Sequence, residues 1–86
     1  MDIFIYFKND NYIELDEIEE AIDNIIYGKG EVTGTGIGLT GCNIDICFYE
    51  KMSIDDVLAI LCKLKLPNDA YCKIAGKNYK LYTHRA

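Results

Sequence analysis

Four of the chain's seven glycines fall within the eight residues from Gly34 to Gly41, and no other stretch limits so strongly what the chain can fold into. Glycine alone accepts positive φ without steric cost, so this run predicts a turn. Glu31-Val32-Thr33 precedes it and Asn43-Ile44-Asp45-Ile46-Cys47-Phe48-Tyr49 follows, both rich in β-branched or aromatic residues of alternating polarity. Strand, glycine-rich connection and strand make a hairpin or a long β-bulge. The segment Gly36-Ile37-Gly38-Leu39-Thr40-Gly41 also has the G-x-G-x-x-G spacing of dinucleotide-binding loops. Such a loop needs a helix after it, whose N-terminus holds the pyrophosphate. Here a strand follows, which favours the plain hairpin.

Either side of this turn shows the same succession of strand, helix and strand. Ile3-Phe4-Ile5-Tyr6-Phe7 is a strong β signal, with Ile3, Ile5 and Phe7 on one face and Phe4, Tyr6 and Lys8 on the other. Asn9-Asp10-Asn11 ends it, and Tyr12-Ile13-Glu14-Leu15 reads as a short extended piece. Asp16 is the expected N-cap of a first helix, with Glu19 as capping-box partner and Glu17 and Glu20 in the first turn. Ile18, Ala21, Ile22, Ile25 and Ile26 form its apolar stripe, Gly28 its left-handed stop, and Glu19, Glu20, Asp23 and Asn24 its outer face. A solvated face is the ordinary reading of those acids.

In the second half, Ile44, Ile46 and Phe48 point one way and Asn43, Asp45, Cys47 and Tyr49 the other. Ser53 and Asp56 make a capping box for a second helix carrying Ile54, Val57, Leu58, Leu61 and Cys62, with Leu64 and Leu66 beyond it. Pro67-Asn68-Asp69 forces a turn. Ala70 to Ile74 is then a strand, Ala75-Gly76-Lys77-Asn78 a tight turn, and Tyr79 to Tyr82 a final strand, in a lysine-bearing hairpin. The order is β-α-β, β-α-β plus one extra strand. Right-handed crossovers put both helices on one face of an antiparallel sheet, the ferredoxin-like α+β architecture.

An 86-residue chain is one domain, removing only about 60 to 65 % of its unfolded surface from water. No apolar run approaches the roughly 20 residues of a membrane helix. Met1-Asp2-Ile3-Phe4-Ile5 has no basic region of the signal-peptide kind, so a cytoplasmic protein is expected. Nine Lys or Arg against fourteen Asp or Glu give a net charge of −5, which repels nucleic acid and suits a basic partner, or none. Cys42, Cys47, Cys62 and Cys72 lie 5, 15 and 10 residues apart without a C-x-x-C pair, and His84 is the sole histidine. Packing of the thiols in a core is therefore expected over metal or redox roles, with no cofactor.

With both helices on one side, strand alternation leaves Phe4, Tyr6, Asp45, Cys47, Tyr49, Tyr71 and Lys73 on an uncovered face. Tyrosines there suit a binding surface; the alternatives are cross-strand pairs that only stabilise the sheet, or a homodimer that covers them. RNA-recognition domains stack bases on such a face, but the matching strand here carries Asp45 and no lysine or arginine. For catalysis, Asp55 and Asp56 belong to a helix cap, Ser53 is that cap, and no histidine lies near Thr33, Thr35 or Thr40.

The helix ending in Tyr27-Gly28-Lys29-Gly30-Glu31-Val32, followed by TGTGIGLTGCNIDICF from Thr33 to Phe48, resembles small bacterial immunity-type proteins and related ferredoxin-like proteins. That resemblance implies neutralisation of a cognate toxin by binding, with no chemistry performed. The partner-binding candidates are Tyr6, Asp45, Tyr49 and Tyr71 on the sheet and Glu19, Glu20 and Asp23 on the helix. A small-ligand-binding regulatory domain acting as a homodimer, with the glycine stretch as a backbone-amide cradle, is the alternative.

Overall fold

A computed structural model describes residues 1–8, 14–39 and 41–82. The elements are β1 (Asp2–Phe7), α1 (Leu15–Ile25), β2 (Gly30–Gly38), β3 (Gly41–Phe48), α2 (Ile54–Leu61), β4 (Tyr71–Ile74) and β5 (Lys77–Lys80). They build one five-stranded sheet of order β2-β3-β1-β4-β5 in which every neighbouring pair is antiparallel. Each helical crossover therefore skips a strand: α1 joins β1 to β2 across β3, and α2 joins β3 to β4 across β1. This is the βαββαβ order of a ferredoxin-like domain, extended at one edge by β5.

Alternation decides which face of that sheet is covered. Ile3, Ile5 and Phe7 of β1, Cys42, Ile44, Ile46 and Phe48 of β3, and Cys72 and Ile74 of β4 are all buried. They share one cluster with Ile18, Ile22 and Ile26 of the α1 segment and Val57 and Leu61 of α2, so both helices lie on the same side. Ile25 and Leu58 pack at its margin, whereas Ala21 is exposed. Leu64 and Leu66 close the cluster below α2, where Tyr82 clamps them: its hydroxyl donates to the Leu64 carbonyl and accepts from the Leu66 amide.

Local chemistry explains several boundaries. Ser53 Oγ accepts from the Asp56 amide at 3.1 Å, so α2 begins where its capping sequence begins. The Ala70 amide donates to the Pro67 carbonyl at 3.0 Å and closes the turn into β4. Between β4 and β5 the turn residues Ala75 (φ 51°) and Gly76 (φ 82°) are both left-handed, which matches the twist of the two strands they join.

Three expectations are corrected. Gly34, Gly36 and Gly38 are not turn residues but lie within β2, which shifts register between Val32 and Gly34. Of the glycines from 34 to 41, only Gly41 has positive φ, at 138°. α1 starts at Leu15 with Glu14 as N-cap and no side-chain cap bond, so Asp16 sits inside the first turn beside Glu17, and the Asp16–Glu19 box does not form. Both acids there face the positive end of the helix dipole, which offsets the missing cap. Finally, β5 begins at Lys77, shortening the final turn to two residues. The expected turn at residues 9–11, the extended piece at 12–13 and the tail 83–86 lie outside the described residues.

Candidate functional site

Cross-strand partners in a sheet share a face, so the register lays out the uncovered side row by row. At one end stand Glu31, Cys47 and Asp2. The middle row runs Gly34, Asp45, Phe4, Lys73 and Asn78 from β2 to β5. The next runs Gly36, Asn43, Tyr6, Tyr71 and Lys80. Carboxylates thus stand on the β2, β3 and β1 side, aromatics in the centre, and lysines on β4 and β5.

The aromatic centre is held by packing. Tyr6 and Tyr71 are register partners whose rings stack with centroids 5.3 Å apart and planes 27° from parallel, a geometry that favours offset rings. Phe4, one row along, is 36 % exposed although it sits on the central strand. Its β1 neighbours Ile3 and Ile5 are fully buried, so the outward-facing ring keeps an open side that the inward-facing positions lack.

Glycine shapes the β2 flank. A Cβ on Gly36 would come within 2.6 Å of Asn43 Oδ1, and one on Gly34 within 3.3 Å of Asp45 Oδ2. The two polar side chains therefore lean into a lane that glycine leaves open, where Asn43 Nδ2 donates to Asp45 Oδ1 at 3.4 Å. Where the lane reaches the end of the sheet, a groove of about 470 Å³ opens between Tyr6, Lys8, Gly36, Gly38, Asn43 and Tyr71. Its floor is steadied by Asp69, whose carboxylate accepts from the Lys8 amide at 3.0 Å.

The sequence-derived candidates divide into three groups. Tyr6, Asp45 and Tyr71 come together on the open face, each half-buried. Glu19, Glu20 and Asp23 lie on α1, in the layer on the opposite side of the sheet, with Glu20 and Asp23 exposed. Tyr49 joins neither: β3 ends at Phe48, and Tyr49 is exposed beside the α1–β2 connection, where its amide donates to the Lys29 carbonyl at 2.9 Å. Lys80, Asn78, Asn43 and the glycine lane belong to the face but were not among the candidates. Their signal is the strand register, which composition alone does not carry.

Thiol chemistry follows burial. Cys42 and Cys72 are core residues, Cys47 is half-buried on the open face, and Cys62 is exposed at the end of α2. Burial pushes the Cys72 thiol up to about 11, opposed by a weaker backbone hydrogen bond. Burial likewise raises the Tyr82 hydroxyl above its ordinary value. Among the described residues no group of three or more His, Cys, Asp or Glu could hold a metal ion, and no helix is long and apolar enough to cross a membrane. No protein-family model, curated protein or solved structure matches the chain.

Proposed function

We propose that this chain is a non-enzymatic binding protein of the immunity type, acting in the cytoplasm to neutralise a cognate toxin by covering it. The observation that carries the reading is the uncovered sheet face, where Phe4, Tyr6 and Tyr71 form an apolar centre edged by charge. Rigid aromatics with a polar rim are the usual make-up of an energetic interface centre. The net charge of −5 suits a basic toxin, and the acids of α1 add to its attraction from a distance.

Co-expression tests it. When a candidate toxin from the neighbouring gene is induced, growth is expected to recover only if the chain is also made, and the purified pair is expected to bind directly. Growth arrest that persists, with no binding by calorimetry, contradicts the proposal.

One observation favours a second reading, a small-ligand-binding domain. The groove at the end of the glycine lane has the volume of a small-molecule site and mixes aromatic, amide and cationic side chains. A metabolite that raises the melting temperature would support it, because a ligand that binds only the folded state stabilises that state.

A further inference from the structure

We infer that the open face seats a second copy of this chain, docked face to face about a two-fold axis running along β1. Charge is the first ground. Asp45 on β3 and Lys73 on β4 are both register partners of Phe4, one strand to either side of it. A two-fold along the strands exchanges those sides, laying Asp45 of each copy over Lys73 of the other. Packed sheets stand about 10 Å apart, a gap that an aspartate and a lysine together bridge. A two-fold across the strands would instead lay β3 over β3 and β4 over β4, setting Asp45 on Asp45 and Lys73 on Lys73 when it passes through this row, so the charges favour the axis along β1.

Polar complementarity is the second ground. The same operation brings the lane of Gly34 and Gly36 under Asn78 and Lys80, the register partners of Lys73 and Tyr71 on the far edge. The Asn43 and Asp45 side chains fill that lane, so the amide and ammonium of one copy meet the amide and carboxylate of the other. Phe4 and Tyr6, on the axis, meet their own copies as aromatic pairs. The two Asp2 residues approach each other only at the rim, where they are exposed and salt screens them.

Area sets the strength. Five strands about 4.8 Å apart and three rows about 7 Å apart give a footprint of roughly 500 Å² a side. The total of roughly 1,000 Å² lies at the low end for a specific interface, which makes a dissociable dimer. A toxin using the same aromatic centre would then compete with the second copy. The two ideas fail separately, however: a monomer that still binds toxin removes only the dimer, and a dimer that binds none removes only the toxin.

Sedimentation velocity from about 10 μM to about 1 mM should show the mass moving from one chain to two. Asp45→Lys alone, or Lys73→Asp alone, sets like charge against like twice in each dimer and should weaken self-association at least about tenfold. In an equimolar mixture of the two variants, the lysine introduced in one copy faces the aspartate introduced in the other, and the remaining native Asp45 faces the remaining native Lys73. Both pairs are again of opposite charge, so the mixture should restore association. Circular dichroism on each variant confirms the fold, both positions being outside the core. A chain that stays monomeric throughout, reversals that change nothing, or a mixture no stronger than its components would overturn the inference.

Discussion

The two faces of the sheet are made from the same five strands, yet they obey different rules. On the covered face β1 contributes Ile3, Ile5 and Phe7 and β3 contributes Cys42, Ile44, Ile46 and Phe48, all buried and all without a polar group other than a thiol. On the open face the alternate positions of those strands hold Phe4, Tyr6, Asn43, Asp45 and Cys47. Burial of apolar area is non-directional, so the first set is chemically uniform. The second set is ordered, from carboxylate through ring to ammonium, and order of that kind gives specificity. One face secures the fold, and the other is the face proposed to meet a partner.

The contrast is broken most directly by truncation on each face. Ile5→Ala or Ile44→Ala leaves a cavity under both helices and should cost about 2 to 5 kcal/mol in denaturant unfolding. Phe4→Ala, next to Ile5 on β1 but facing outward, should cost about 1 kcal/mol or less while reducing self-association. Equal losses at Phe4 and Ile5 would erase the distinction between the faces.

A pH titration probes the covered face, with the raised Tyr82 hydroxyl contributing a loss of the same sign at the upper end of the window. Cys72 has a folded pKa of about 11 against the ordinary thiol value of 9.0, so its contribution is fully present below pH 9 and is lost as pH rises toward 11. Unfolding free energy should fall by on the order of 2 kcal/mol across that window, and Cys72→Ala should flatten this part of the curve. The exposed Cys62 should react with a thiol reagent at about pH 8 in the folded protein while Cys72 does not.

Smaller effects sharpen the comparison. A double-mutant cycle on Tyr6→Ala and Tyr71→Ala should give a coupling of about 0.5 to 1.5 kcal/mol, the share of the stacked pair beyond area. Ala75→Gly relieves a left-handed alanine in the β4–β5 turn and should stabilise by up to about 1 kcal/mol in thermal unfolding.

Much of the covered face was legible in the sequence, because burial writes itself as period two in strands and as the Ile18, Ile22, Ile26 spacing in the first helix. Ser53 and Asp56 likewise announced the start of α2. The open face was only half legible. Glycine signals freedom of φ, but Gly34 and Gly36 are used for the side chain they lack, to make room for Asp45 and Asn43 within a strand. Tyr49 was assigned by alternation to a strand that stops one residue earlier, and Asp16 to a cap that Glu14 occupies. Lys80 joined the face only through its pairing with Tyr71, a contact between strands that no local pattern records.

The central claim is that docking and folding use opposite sides of one sheet. It is tested most directly by titrating the Tyr6→Ala, Tyr71→Ala double variant against the toxin proposed as its partner by calorimetry, with thermal unfolding followed on the same sample. Loss of two central aromatics should weaken binding at least about a hundredfold while the melting temperature falls by no more than about 10 °C. Undiminished binding by a folded double variant would contradict the account.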